Sequence, residues 1–330
     1  MEKVKVLIYG RRHDELADFA RLVPQLGIEP TFVKENLDRD NAALAAGFEG
    51  VAVNALCLLD RENIARLAQL GVKYLATRSI GFDNIDLDAC REFGIKLSNA
   101  PYSPHSVADY TVMLMLMLTR RAKSILRHGE AQDYTLRGIE GRELRSMTVG
   151  VIGTGRIGRT VIEDLSGFGP KFIAYDLYPS EALRGRVEYV PLDELFARAD
   201  IITLHAPLQE SSFHTISAAS IAKMKDGAMI VNTARGELID TAALIAGLES
   251  GKLGGAALDV LEGEQAYMFG DHRCDNIPCR ERALLMAFPN VILTGHYAFY
   301  TEQAVTDQVE MALSCLRSFI ETGKAPNEIV

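Results

Sequence analysis

The stretch Met147-Thr148-Val149-Gly150-Val151-Ile152-Gly153-Thr154-Gly155-Arg156-Ile157-Gly158 decides the fold. Its first half reads as a buried strand. Its second half is G-x-G-x-x-G, opening a helix expected over Arg156–Phe168. Strand, tight turn and helix in that order make a βα unit whose helix N-terminus presents free N–H groups to an anion. The glycine spacing alone is a weak signal. It gains weight from Asp176, an acid ending the next expected strand, Phe172–Asp176, 18 residues after Gly158. Gly153 allows the tight turn, Gly155 lets a pyrophosphate approach the backbone, and Gly158 lets the helix close on the strand. Asp176 can accept hydrogen bonds from ribose hydroxyls, its charge repels a 2′-phosphate, and Leu177, not an arginine, follows it. The cofactor expected is NAD rather than NADP.

Working outward, β-rich runs alternate with helical patterns on both sides of this unit. Upstream, strands are expected at Val4–Tyr9, Val51–Asn54, Tyr74–Thr77 and Ile95–Ser98, and helices at Asp14–Leu26, Arg61–Leu70 and Asp86–Phe93. The series stops at Asn99–Pro104, where Pro101 and Pro104 forbid a continuous helix. One long helix is expected over Ser106–His128, then a polar stretch to Arg145. Downstream strands are expected at Ile201–His205, Met229–Asn232, Gly255–Asp259 and Val291–Thr294, and a last helix at Thr301–Thr322. With no strand after it, that helix is expected to return to the N-terminal unit. The reading is an α/β protein with two parallel sheets of Rossmann-like or flavodoxin-like type. Residues 1–100 plus 300–330 would form the substrate (catalytic) domain, and 101–299 an inserted NAD-binding Rossmann domain.

Bulk composition agrees with a folded globular protein of this size. The chain has 330 residues, 48% of them hydrophobic and 24% charged, which suits globular domains with real cores. A net charge of −9 argues against nucleic acid or an anionic membrane surface as partner, and makes any anionic substrate depend on locally placed cations. The most apolar run, Tyr110–Leu118, is too short to span a bilayer and suits a buried helix. The N-terminus shows no signal-peptide pattern. Five cysteines at 57, 90, 274, 279 and 315 form no disulfide framework, so a cytoplasmic location is expected.

Three segments just after expected strands hold residues able to do chemistry: Asn232-Thr233-Ala234-Arg235-Gly236, Asp259-Val260-Leu261-Glu262-Gly263-Glu264, and Thr294-Gly295-His296-Tyr297-Ala298-Phe299. Reducing a 2-oxo acid requires a guanidinium to hold the carboxylate and polarise the carbonyl. It also requires a proton donor for the developing alkoxide and a carboxylate to orient that donor. Arg235, His296 and Glu264 supply one of each.

Taken in order, RSIGFDNID, VGVIGTGRIG, NTARGELID, GGAALDVLEGE and FPNVILTGHYAF resemble the D-isomer-specific 2-hydroxyacid dehydrogenases, closest to D-lactate dehydrogenases including those of glycopeptide-resistance clusters. The resemblance implies that Arg235 binds the substrate carboxylate and carbonyl, that His296 is the general acid and that Glu264 is its partner. It implies NAD contacts from Arg156, Ile157, Asp176, Ala206, Pro207, Ser212, Thr233, Ala234, Arg235 and Asp259, beside Gly153, Gly155 and Gly158. It places Ser79, Ile80 and Gly81 at the substrate carboxylate, with Tyr102, Phe299 and Asn54 bordering the pocket. Asparagine at 54 is small and polar, so room for a longer 2-oxo acid is expected there. The activity implied is NAD-dependent reduction of a small 2-oxo acid, pyruvate first, to the D-2-hydroxy acid. Larger branched or aromatic 2-oxo acids are the alternative, and an NADH-sensing interaction protein on the same fold is a remote one. Relatives are homodimers joined through their nucleotide domains, and the apolar helix at 106–118 is the expected partner surface.

Other residues have plainer readings. Glu262 is a surface or hinge charge, and His205 shapes a cofactor loop. His272, Cys274 and Cys279 lack a fourth ligand at matching spacing, so no metal is expected in the surface loop Gln265–Arg282.

Overall fold

The computed structural model of the chain describes residues 3–277 and 279–330. They divide into two compact units, unit 1 taking those up to residue 103 together with 300–330, and unit 2 those between 104 and 299. Among the described residues no helix is long and apolar enough to cross a membrane.

Unit 1 is built on five strands: β1 (Val4–Ile8), β2 (Ile28–Phe32), β3 (Gly50–Val53), β4 (Tyr74–Thr77) and β5 (Lys96–Ser98). All pair in parallel, in the order β2-β1-β3-β4-β5. Helices α1 (Leu16–Gln25), α2 (Arg61–Gln69) and α3 (Leu87–Phe93) connect them. Asp60 and Asp86 cap α2 and α3 by accepting from the N–H groups of Asn63 and Ala89. Strand β2 is absent from the sequence reading. It is an edge strand carrying Pro30, whose missing N–H is tolerated only there.

The chain leaves unit 1 after Ser103 and re-enters it at Tyr300. The returning helix α11 (Glu302–Thr322), capped by Thr301, buries Val309, Leu313, Leu316 and Phe319 in the core of the sheet. Phe319 stacks on Tyr74 with ring centroids 5.1 Å apart. Truncating such a ring to alanine would cost roughly 3–5 kcal/mol. After the helix, residues 327–330 run beside the edge strand β5, Ile329 N donating to Leu97 O and Leu97 N to Val330 O.

Unit 2 holds seven parallel strands in the order β12-β11-β10-β9-β6-β7-β8. They are β6 (Thr148–Ile152), β7 (Lys171–Tyr175), β8 (Glu188–Tyr189), β9 (Ile201–Leu204), β10 (Ala228–Asn232), β11 (Leu253–Leu258) and β12 (Val291–Leu293). The central strands are buried on both faces, which explains their nearly unbroken apolar sequences. Helices α6 (Arg156–Leu165), α7 (Leu192–Arg198), α8 (Ala218–Lys223), α9 (Thr241–Glu249) and α10 (Arg280–Ala287) link them. The strand order turns back between β6 and β9, the topological switch point where doubly wound sheets bind ligands. Two-residue β8 is too short to carry a pattern, and α10 takes the end of what reads as loop through Arg282.

The single long helix expected over Ser106–His128 is two helices, α4 (His105–Thr119) and α5 (Ala122–Glu130). The break has a tertiary cause. The carbonyl of Thr119 accepts from Arg142 N at 2.9 Å, and Arg121 turns into the left-handed region at φ 51°. Met115 and Leu118 of α4 are buried in the core of unit 2, while Met113 of the same stretch is 39% exposed. Further exposed apolar side chains follow α4. Leu126 on α5 and Tyr134 and Leu136 after it are 63%, 83% and 83% exposed.

Candidate active site

The glycine-rich turn sits at the switch point, and its glycines are set by contact. A Cβ on Gly153, whose φ is 92°, would lie 2.6 Å from the Ala206 backbone N, and one on Gly158 would lie 2.0 Å from Gly153 O. The loop after β6 thus touches the loop after β9, and α6 closes onto its strand. A Cβ on Gly155 would meet no protein atom, so the room at the helix N-terminus is open to a ligand. Asp176, just after β7, accepts from Thr154 N at 2.5 Å and Thr154 Oγ1 at 2.9 Å through one oxygen, and from Tyr178 N at 2.8 Å through the other. It braces the turn, and its carboxylate keeps lone pairs for further donors.

On the neighbouring loop, Ser212 Oγ donates to Pro207 O at 2.7 Å and accepts from Gln209 N at 2.8 Å, fixing the segment Ala206–Ser212. His205 precedes it, its Nε2 2.9 Å from Thr203 Oγ1. Burial pushes this imidazole down to about 3, so it remains neutral and is no proton donor. Thr233, after β10, meets Thr111 of α4 through its hydroxyl at 2.8 Å.

Arg235 follows Asn232, whose side chain spans the turn, donating to Arg235 O at 2.7 Å and accepting from Ala234 N at 3.0 Å. Arg235 Nη1 donates to Ala234 O at 2.7 Å. At Gly236 the backbone runs directly against the Leu261–Glu262 peptide, where a Cβ would lie 2.2 Å from Leu261 C. Only glycine permits that approach. It brings the segment bearing Arg235 onto the segment bearing Glu264.

Glu264 Oε1 lies 2.7 Å from His296 Nδ1, and its Oε2 accepts from Leu261 N at 3.0 Å. With Nδ1 committed to the carboxylate, Nε2 is the atom that can carry a transferable proton. His296 has φ 61°, a strained conformation held by its own N–H donating to Asp259 O at 2.7 Å. Asp259 proves to be the anchor of this loop. Fully buried, its carboxylate accepts from Thr294 Oγ1 at 2.5 Å, Tyr297 N at 2.9 Å and Ala298 N at 2.8 Å. The sequence suggested a cofactor contact for Asp259 and gave no sign of this use.

A second imidazole–carboxylate pair lies on the same strand end. Glu262 Oε1 is 2.8 Å from His214 Nε2, and its Oε2 accepts from Thr241 Oγ1 at 3.2 Å. Glu262 therefore ties the loop after β9 to the start of α9 and leaves His296 to Glu264. His272 pairs with Asp275 in an exposed turn, and among the described residues no group of His, Cys, Asp or Glu is arranged to hold a metal.

The remaining expected substrate residues belong to unit 1. Ser79 O accepts from Ala100 N at 3.0 Å, Ser79 Oγ donates to Gly81 O at 2.6 Å, and Asn99 Nδ2 donates to Ile80 O at 2.9 Å, so the turn is held from several sides. Arg78 before it is fully buried, paired with Glu15 at 2.8 Å and donating to the carbonyls of Tyr9 and Gly10. Tyr102 is buried in the same unit. Asn54 is buried as well, and its amide is occupied. Nδ2 donates to Gly10 O at 3.1 Å and Asn36 Oδ1 at 2.9 Å, while Oδ1 accepts from Leu56 N at 2.9 Å. The side chain thus ties three segments of unit 1 together, a use its small size did not suggest.

Comparison with known proteins fits this geometry. Residues 112–298 match the family model described as D-isomer specific 2-hydroxyacid dehydrogenase, NAD binding domain. The chain is 44% identical over 329 residues to an aromatic 2-oxoacid reductase of Clostridium sporogenes, covering 99% of each chain. It is 44% identical over 319 residues to a D-specific alpha-keto acid dehydrogenase of Enterococcus faecium, covering 96% of this chain and 97% of that one. The crystal structure of a D-lactate dehydrogenase from Treponema pallidum superposes with a TM-score of 0.88 at 34% identity, over 99% of this chain and 100% of that one.

Proposed function

From the premise that the chain belongs to the D-isomer specific 2-hydroxyacid dehydrogenase family and uses NAD, we propose that it reduces pyruvate to D-lactate by the hands of Arg235, His296 and Glu264. The observation that carries this assignment is the 2.7 Å pair between His296 and Glu264 on the strand end that Gly236 packs against the Arg235 loop.

Bound NADH supplies the hydride that reaches the substrate's C2 carbon. The protein's part is electrostatic and protonic. Arg235 holds the carboxylate and polarises the carbonyl with its two-pronged guanidinium. His296 passes a proton from Nε2 to the oxygen as it gains charge, and Glu264 stabilises the charged imidazole beforehand. Gly153, Gly155 and Gly158, with the N–H groups of Arg156 and Ile157, receive the pyrophosphate, and Asp176 the adenosine ribose. Ala206, Pro207, Ser212, Thr233 and Ala234 line the cofactor's path. Ser79, Ile80, Gly81 and Tyr102 are the substrate contacts proposed for unit 1, and Phe299 that for unit 2.

A second reading extends the range to larger 2-oxo acids. The similarity to an aromatic 2-oxoacid reductase favours it. NADH consumption with pyruvate, 4-methyl-2-oxopentanoate and phenylpyruvate, followed by chiral analysis of the products, tests both readings. D-Lactate from pyruvate supports the assignment, and no turnover of any 2-oxo acid would refute it.

The protein is further proposed to work in the cytoplasm as a homodimer joined through its nucleotide domains. The exposed apolar residues Leu126, Tyr134 and Leu136 are the surface that supports dimerisation, since patches of this kind mark association sites. Sedimentation of Leu126→Glu against the unaltered protein tests it.

A further inference from the structure

Beside the proton-transfer pair, unit 2 carries an aromatic ring that the sequence placed in an ordinary surface loop. The ring of Phe269 lies 6.0 Å from the imidazole of His296 and 5.9 Å from the ring of Phe299, and His296 and Phe299 lie 6.2 Å apart. The three rings therefore form a triangle, with Phe269 edge-on to Phe299 at the spacing aromatic pairs favour.

Phe269 is there against two local preferences. Its backbone has φ 61°, a region bulky side chains avoid, and the residue is 46% exposed. Strain of this kind persists where the surroundings dictate it, and it clusters at functional sites. Here the surroundings are the catalytic segment itself. Tyr267 N and Met268 N both donate to Glu264 O, at 3.0 and 2.9 Å, so the turn bearing Phe269 starts from the residue that holds His296. Farther out, the Arg282 guanidinium covers the Tyr267 ring at 5.4 Å and fixes the other side of the turn.

We propose that Phe269 is a specificity-determining residue whose ring, together with Phe299, packs on the C3 side chain of the 2-oxo acid. This rests on the reading of His296 as the proton donor, because the wall is placed by its distance from that imidazole. Two rings set edge to face offer an apolar, polarisable surface matched to an aryl or branched alkyl group. The methyl of pyruvate reaches little of it. Phe269 should therefore separate large substrates from small ones while leaving the chemistry of the carbonyl alone.

The test measures kcat/KM at saturating NADH for phenylpyruvate, 4-methyl-2-oxopentanoate and pyruvate. Phe269→Ala should lose about tenfold or more on phenylpyruvate and less than about threefold on pyruvate, with the KM for NADH unchanged. Phe269→Leu should regain the branched alkyl substrate more than the aryl one. Phe269→Gly removes the side chain and the backbone strain together, so it should show the same discrimination with no loss of Tm. An equal loss on all three substrates, no change on any, or a parent enzyme that reduces pyruvate alone would overturn the proposal. His296→Asn separates the two readings. If that variant still reduces pyruvate at nearly the original rate, the site is misassigned. If it is inactive while Phe269→Ala acts uniformly, only the role of Phe269 falls.

Discussion

Glu264 divides its carboxylate between His296 Nδ1, at 2.7 Å, and the backbone N–H of Leu261, at 3.0 Å. One oxygen meets His296 and the other fixes the loop that carries Glu264 itself. Glu264→Gln keeps a hydrogen-bonding side chain of the same shape and removes the charge. The imidazole then loses the negatively charged partner that orients it through Nδ1. The kcat/KM for reduction should accordingly fall by about tenfold or more, with NADH affinity nearly unchanged. Steady-state kinetics of the variant beside the original check this, and an unchanged kcat/KM would remove Glu264 from its role.

Asp176 braces Thr154 on the glycine-rich turn and bears the charge that would repel a 2′-phosphate. Asp176→Asn leaves a side chain able to accept from the turn but no charge. The ratio of kcat/KM for NADH over NADPH should fall by about tenfold or more, mostly through a gain with NADPH, on the scale of one charge contact. Steady-state kinetics with both cofactors measures it. An unchanged ratio would mean the ribose lies elsewhere.

How the sequence anticipated these residues, and where it did not, follows from the range of the contacts involved. The turn Gly153–Gly158, Asp176 and the buried strands of unit 2 are local patterns, set by residues adjacent along the chain, and they were legible. So was the pairing of Glu264 with His296, because each lies in a segment that follows a strand. Strand β2 escaped notice because Pro30 breaks its pattern at a sheet edge. The division between α4 and α5 depends on Thr119 O meeting Arg142 N, a contact that no local periodicity encodes. For the same reason Asp259 as a loop anchor, the His214–Glu262 pair and the placement of Phe269 became visible only in three dimensions.

Asn54 gives a case in which the structure changes the outcome expected of a substitution. With its amide donating to Gly10 and Asn36 and accepting from Leu56, Asn54→Tyr would strand these groups and overfill a buried site. The loss should be roughly 2–4 kcal/mol of stability, combining unsatisfied polar groups with overpacking. Denaturant unfolding reads it directly. A fully stable variant with a narrowed substrate range would instead make residue 54 a pocket wall.

His205 predicts a pH dependence of stability. Its imidazole is held at about 3 by burial, against about 6.5 in an unfolded chain. Between those values the unfolded chain binds a proton that the folded one refuses, so stability falls as pH drops from about 6.5 toward 3. His205→Gln, which keeps a partner for Thr203, should flatten that fall. Melting temperatures of both proteins at pH values across this window test it, and parallel curves would show that His205 contributes nothing to acid sensitivity.

The most direct test of the account is the rate of pyruvate reduction by His296→Asn, measured together with its dissociation constant for NADH. Asparagine can still hydrogen-bond to Glu264 but carries no transferable proton. The account predicts that NADH binds within about threefold of the original affinity while kcat falls by about a thousandfold, in the range that general acid catalysis supplies. A kcat within about tenfold of the original, at unchanged NADH affinity, would contradict it and place the proton donor elsewhere in the molecule.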